Sequence, residues 1–248
     1  MNQIQRDRLN RIQQVGQVAG LARYPVKSMA GEHLTEAQFG PLGIEGDRRW
    51  ALYTEDGGIA SGKTTRRFRR VDGLFDLQAR LQAGFGAPAV WLPDSRRFPA
   101  DDPAASAAIS KVLGQPLELR PESAVHHHDE SRVHVITTAA IRQLEQTLGE
   151  PIEAARFRAN VVLAVDGTGF IEDDWQGGTL ALGNEVRLGL GEGMPRCVMV
   201  GLAQPHEGLG ADARLLKELG RLHEVQFGLK AEVIQGGTVR PGDAAIVS

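Results

Sequence analysis

The sequence holds a single cysteine, Cys197, which excludes an intrachain disulfide and any four-cysteine zinc or iron–sulfur site built from these residues. It also lacks a basic excess: 28 Lys and Arg stand against 31 Asp and Glu, for a net charge of −3. Nucleic acid, which needs a clustered positive footprint, is therefore not expected as the main partner. No stretch approaches the roughly 18 apolar residues that span a bilayer. The opening residues MNQIQRDRLNRIQQ lack the apolar core of a secretory signal. A cytoplasmic protein with no membrane span is the expectation. Aromatics are scarce at 5% of 248 residues, whereas 30 glycines and 12 prolines are many, which favours short strands and turns over a helical bundle. Hydrophobic content of 42% and charged content of 24% suit a globular chain with a real core.

Residues 3–14 read as a short polar helix or a frayed arm, with only Ile4, Leu9 and Ile12 on an apolar face. Strands are expected over 15–24, 49–53, 59–61, 74–82, 88–92 and 117–120. A helix over 104–113 should end at Gly114 and Pro116. Residues 121–129 read as a linker. Beyond it come a strand over 132–136 and an amphipathic helix over 137–148, with Ile141, Leu144 and Leu148 at helical spacing. Further strands are expected over 160–165, 179–182, 186–190, 197–202, 225–234 and 244–247, with a helix over 211–223 capped by Asp212. The sum is a mainly β (α+β) protein of two β-barrel-like domains with a few helices. Its expected divisions are an arm over 1–14, a first domain over 15–120 and a second over 121–248. Closed sheets are the expected packing because closure removes exposed strand edges.

Several motifs carry possible chemistry. Gly57 to Thr64 fits the phosphate-loop pattern G-x-x-x-x-G-K-T, with Val161–Asp166 as a conceivable acidic companion strand. A nucleotide loop should follow a buried parallel strand and open a helix, yet Asp56-Gly57 reads as a hairpin turn, so the hairpin is the stronger reading. Gly189 to Gly193 superficially fits a dinucleotide loop but lacks its frame, and reads as a flexible loop before Pro195. His126-His127-His128 with Asp129 has metal-ligand residue types, but adjacent side chains diverge, and a solvated linker is expected. Cys197 follows Arg196, whose guanidinium favours a thiolate, the form that serves as a nucleophile or as a ligand for a soft or high-valent metal. Lys27, Ser28, Arg48, Arg49 and Arg158 lie beside apolar runs and could together form an anion pocket for a phosphorylated cofactor.

Read in order, seven strings resemble the MOSC proteins that carry a MOSC N-terminal β-barrel domain, the group of the amidoxime-reducing components and their bacterial relatives. They are Tyr24-Pro25-Val26-Lys27-Ser28, Gly46-Asp47-Arg48-Arg49-Trp50, Phe157 to Val162, Glu172 to Trp175, Leu182-Gly183, Arg196-Cys197, and Gly237 to Asp243. The resemblance implies a molybdenum cofactor, Mo-molybdopterin, with Cys197 as metal ligand and catalytic centre. It implies Lys27, Ser28, Arg48, Ser131, Arg158 and Asn160 as cofactor-binding residues. The sequence departs from the family pattern at Ala159, at Gln204 to Gly208 and at Glu130. The activity implied is that of an oxidoreductase that reduces N-hydroxylated small molecules. Its electrons would come from a separate ferredoxin- or flavin-type donor, because no cluster cysteines are present. The alternative is a cofactor carrier or sulfur-transfer binding protein without turnover of its own, although no pyridoxal-phosphate domain is readable here as a source of sulfur. Asp129 is a candidate proton donor.

Overall fold

The structure, a computed structural model, describes residues 12–81 and 86–248. The arm expected over 3–14 lies outside the described residues up to Arg11, and Gln13 and Gln14 already belong to the first strand. The N-terminal half runs β1 (Gln13–Arg23), β2 (Glu32–Leu34), β3 (Ala37–Gly40), β4 (Gly43–Ile44), β5 (Trp50–Thr54), β6 (Ile59–Ser61) and β7 (Phe68–Arg70). It continues through β8 (Gln78–Arg80), β9 (Ala89–Trp91), β10 (Arg97–Pro99), α1 (Pro103–Leu113) and β11 (Leu117–Pro121). One sheet has the order β11-β5-β6-β7 and another the order β10-β9-β8. The segment between β1 and β2 stitches them together, because Val26 bridges Trp50 and Ala30 bridges Gln78. Val26 and Met29, fully buried on this segment, share a core with Leu52, Leu77, Val90 and Ile109. Helix α1 starts where its patterning predicts. Asp102 accepts from the Ala104 amide, Pro103 opens the first turn and Gly114 closes the last in the left-handed region.

The second half runs β12 (Val133–Thr137), α2 (Thr138–Leu148), β13 (Val161–Ala164), β14 (Thr179–Leu182), β15 (Val186–Pro195), α3 (Arg214–His223), β16 (Gln226–Gln235), β17 (Gly237–Val239) and β18 (Ala244–Val247). Seven strands close a ring in the order β1-β13-β12-β16-β15-β14-β18 and back to β1. All its pairs are antiparallel except β12 and β13, which α2 links as a βαβ unit. β1 joins both ends: residues 13–17 pair with β18 and residues 17–21 with β13. The first strand of the chain thus completes a barrel whose other staves come from residues 133 to 247. Val18, Val135, Leu163, Leu180, Leu188 and Leu229 fill the barrel. A second layer of α2 and α3 covers one end, where Phe157 and Phe227 stack at 3.7 Å beside Ile136, Leu144 and Leu219. Among the described residues no helix is long and apolar enough to cross a membrane.

Four segments named in the sequence reading take a different form in the structure. Residues 74–76 form a 3-10 turn before β8 rather than the start of a strand. The run Val198–Gly201 is a 3-10 turn, not a strand: its one deeply buried side chain, Val200, packs into the helical layer. Gly189 to Gly193 is not a loop but part of β15, bulged between 190 and 195 and paired to β16. Helix α3 begins at Arg214 with Ala213 as its cap, while Asp212 accepts from the Arg214 amide at 2.9 Å.

Beside the β12–α2 junction, Glu172 is 1% exposed. The Thr137 hydroxyl donates to its Oε2 at 2.7 Å, and its Oε1 has no partner. Burial raises its pKa to about 7 despite that hydrogen bond. The folded protein therefore holds a proton there that the unfolded chain releases above its ordinary carboxylate range. Stability from this group is intact at pH 4 and falls as pH rises through 7. Glu172→Gln is expected to be stabilising at pH 8 relative to wild type, by on the order of 2 kcal/mol, and close to neutral at pH 4. Denaturant melts at the two values check this, and a pH-independent difference would contradict it.

Candidate functional site

Cys197 lies two residues beyond the end of β15, in an extended conformation that caps the 3-10 turn Val198–Gly201. It opens onto a cavity of about 210 Å³. The same cavity is lined by the six residues that the resemblance implied for cofactor binding: Lys27, Ser28, Arg48, Ser131, Arg158 and Asn160. These come from the stitching segment, the turn before β5, the loop before β12 and the turn before β13, so the cavity sits where the N-terminal sheets meet the barrel.

Three of these residues hold left-handed backbone without being glycine: Ser28 (φ 65), Arg48 (φ 51) and Arg158 (φ 51). Such conformations cost on the order of 1 kcal/mol or more and persist where surrounding contacts enforce them. At Arg48 the enforcing contacts are visible. Its amide donates to the Tyr24 carbonyl at 2.8 Å, and the Tyr24 amide donates to Asp47 Oδ1 at 2.8 Å. The Arg48 side chain binds Asp47 and donates to the Arg158 carbonyl at 3.1 Å. The Tyr24 ring has the Arg48 guanidinium 4.8 Å and the Arg158 guanidinium 4.1 Å from its centroid. Burial alone would raise the pKa of the fully buried Asp47, but Arg48, His128 and the Tyr24 amide pull it down to about 2.

Lys27 is buried, with its amide on the Trp50 carbonyl at 2.8 Å and its Nζ 2.9 Å from Asp129 Oδ2. Burial lowers its pKa to about 8, with Asp129 opposing the fall, so it is charged at neutrality. Asp129 also reaches Lys63 Nζ at 3.3 Å through its other oxygen. Burial would raise its pKa, but the two lysines hold it well below the usual carboxylate range, which removes it as a proton donor near neutrality. Burial takes Arg158 and Arg196 down to about 10, and both keep their charge at neutral pH. Arg196 donates to the Phe157 carbonyl at 2.8 Å, while its buried Nε has no partner. His134 is buried, its Nε2 2.9 Å from the Phe227 carbonyl. Burial, then Arg196, holds it neutral. Gly228 makes that approach possible, since a Cβ there would collide with the Val135 carbonyl.

Asn160 does less for the cavity than for the fold. Its Oδ1 accepts from the His134 amide at 3.1 Å and its Nδ2 donates to the Ala22 carbonyl at 3.3 Å, tying β1 and β12 to the start of β13. Ser131 donates to the Val133 carbonyl at 2.7 Å. Arg49, grouped with the anion pocket on sequence, instead pairs with Glu122 outside the cavity lining. Lys63 and His134 line the cavity but were not picked out as site residues. Lys63 was legible only as part of the phosphate-loop pattern, and nothing local in the sequence distinguishes His134 from a core histidine.

Two motif readings are settled by geometry. Gly57 and Gly58 form the β5–β6 hairpin turn, with the Gly57 amide on the Thr54 carbonyl at 2.9 Å, and no helix follows Lys63, so a nucleotide loop is absent. The histidine run is not a solvated linker: His127 and His128 are 0% and 3% exposed. His127 Nδ1 lies 3.2 Å from the Arg48 carbonyl and its Nε2 3.0 Å from Tyr53 Oη; His128 Nε2 lies 3.4 Å from Asp47 Oδ2. Burial pushes His127 down to about 4 and lowers His128, so both back the Arg48 turn as neutral rings. Among the described residues no three His, Cys, Asp or Glu side chains converge on one point, so a metal here would need ligands besides Cys197.

The cavity presents five basic side chains (Lys27, Arg48, Lys63, Arg158 and Arg196) against two carboxylates, Asp129 and Glu130, with one thiol at its edge. That donor set, with an unpartnered Arg196 Nε, fits a multiply charged anion that also carries a thiolate-binding metal.

The family model described as MOSC domain matches residues 122–245, and the one described as MOSC N-terminal beta barrel domain matches residues 15–84. The mitochondrial amidoxime-reducing component 1 of Xenopus laevis is 25% identical over 220 residues, covering 72% of this chain. The match spans 62% of that relative, less than two thirds of its length. The crystal structure of the YUAD protein from Bacillus subtilis superposes with a TM-score of 0.52 at 15% identity, covering 96% of this chain and 98% of that one. That likeness is one of fold.

Proposed function

The chain belongs to the MOSC family, with a MOSC N-terminal β-barrel domain ahead of the MOSC domain, and on that premise we propose that it binds a molybdenum cofactor and reduces N-hydroxylated small molecules. The observation that carries the reading is the thiol of Cys197 opening onto a five-cation cavity. A phosphorylated, metal-bearing pterin dithiolene has both properties that the cavity suits, negative charge and a metal that accepts a thiolate. When bound, the cofactor supplies the two-electron, oxygen-accepting chemistry.

The residues of the chain then have separable tasks. Cys197 offers the single protein thiolate to the metal. Lys27, Ser28 and Arg48 sit on backbone that sheet bridges and the Asp47 carboxylate hold rigid, and they grip the phosphate. Arg158 and Arg196 add charge, and Ser131 and Asn160 complete the lining. Neutral His134, locked on the Phe227 carbonyl, excludes water without adding charge. The electrons come from a separate ferredoxin- or flavin-type protein. The relative from Xenopus laevis, an amidoxime-reducing component by name, favours N–O bonds as the substrate class.

The test is turnover. Cofactor-loaded protein with reduced viologen as donor should convert benzamidoxime to benzamidine, and boiled or cofactor-free protein should not. Loaded protein that is inert towards benzamidoxime and hydroxylamine, yet passes its cofactor to an apo-molybdoenzyme, would be a carrier and would sink the reductase reading.

A further inference from the structure

Lys63 and Asp129 have no task in that scheme, yet both line the cavity. The two lysines share one carboxylate and one ring. Lys27 Nζ and Lys63 Nζ lie 2.9 Å and 3.3 Å from different oxygens of Asp129. They lie 4.5 Å and 5.0 Å from the Phe68 centroid. One carboxylate therefore balances two ammoniums, which leaves a positive charge over before Arg48, Arg158 and Arg196 are considered. The two sides of this cluster also differ in how firmly they are held. Lys27 is 3% exposed on backbone pinned to β5, whereas Asp129 is 40% exposed and belongs to the irregular segment between β11 and β12. The carboxylate can rotate into solvent; Lys27 cannot leave.

We infer that Lys63 is a further phosphate-binding residue and that Asp129 is its displaceable counter-ion, so that a dianionic phosphate monoester entering the cavity takes over both ammoniums and turns the carboxylate outward. The inference rests on the reading of the cavity as the site of a phosphorylated ligand, and it deepens that reading by naming the charge state selected. A phosphate dianion brings two charges and three terminal oxygens to a pair of ammoniums that a single carboxylate only half satisfies. The lysine of the Gly57–Thr64 string is then a phosphate ligand, delivered by the loop between the parallel strands β6 and β7 rather than by the mouth of a helix.

The experiment is calorimetric titration of cofactor-free protein with inorganic phosphate at pH 7.5 and low salt. Dimethyl phosphate serves as a singly charged control. Asp129→Asn is expected to tighten phosphate binding about tenfold, and Lys63→Ala to weaken it about tenfold, the scale of one hydrogen bond to a charged group. Lys63→Arg should restore most of the loss, and dimethyl phosphate should bind more weakly than phosphate to wild type. Unfolding midpoints of the variants confirm that each is folded. Weaker or unchanged binding in Asp129→Asn overturns the inference, because the carboxylate would then be holding the lysines in place. Binding abolished by Lys27→Ala but untouched by Lys63→Ala overturns it while leaving the cofactor site standing. No phosphate binding by wild type and Asp129→Asn alike removes both.

Discussion

Cys197→Ala, purified from a host that makes molybdenum cofactor, is expected to lose its molybdenum from near-stoichiometric to background level. Cys197 is the only cysteine, so no second thiol can take its place. Alanine offers the metal no ligand atom. The same substitution should barely move stability. The residue is half-buried on a short turn, and changes at such positions usually stay within about 1 kcal/mol. Metal analysis beside a thermal melt separates the two effects. Equal molybdenum in wild type and variant would show that the thiol does not hold the metal. Absence of molybdenum from wild type, under conditions where a reference molybdoenzyme loads, would end the cofactor proposal.

Asp47→Ala is expected to be the most damaging change near the site, costing about 3–5 kcal/mol, the range for breaking a buried ion pair by removing one partner. Asp47 is wholly buried, and its loss would leave the Arg48 guanidinium and the Tyr24 amide without their acceptor. For a domain whose whole stability lies near 5–15 kcal/mol, that approaches unfolding. The pH dependence carries its own sign. The folded pKa of Asp47 is about 2, below the unfolded value of 3.8, so its contribution is complete above pH 4 and disappears as pH falls through 2. Wild type should therefore lose roughly 2 kcal/mol from this group over that acid window, whereas Asp47→Asn should show a shallower loss. Urea melts at pH 7 and at about pH 1.5, below the folded pKa, measure both. Full stability of Asp47→Ala at pH 7 would contradict the role of the carboxylate as the anchor of the Arg48 turn.

The readings that held rest on local signals. Gly114 ends α1 because a left-handed residue acts within a few positions of itself. The Asp56-Gly57-Gly58 turn overrode the phosphate-loop string for the same reason. Val198-Met199-Val200 misled because an apolar run of three has no period; burial against the helical layer, a contact distant in sequence, made it a turn. His127 and His128 misled because polar residues after a proline read as a linker, while their partners Arg48, Tyr53 and Asp47 lie about eighty residues away.

The candidate site divides along the same line. Its chemical vocabulary, a lone cysteine beside an arginine and basic pairs in fixed strings, was present in the sequence. What only the tertiary structure decided is the convergence: β1 closing a barrel of strands from the other end of the chain, and the stitching segment carrying Lys27 to Asp129, 102 residues on. Residue type and short spacing are set by covalent order. Which charges meet, and which carboxylate is left to share between two lysines, is set by strand pairing and burial that no local pattern encodes.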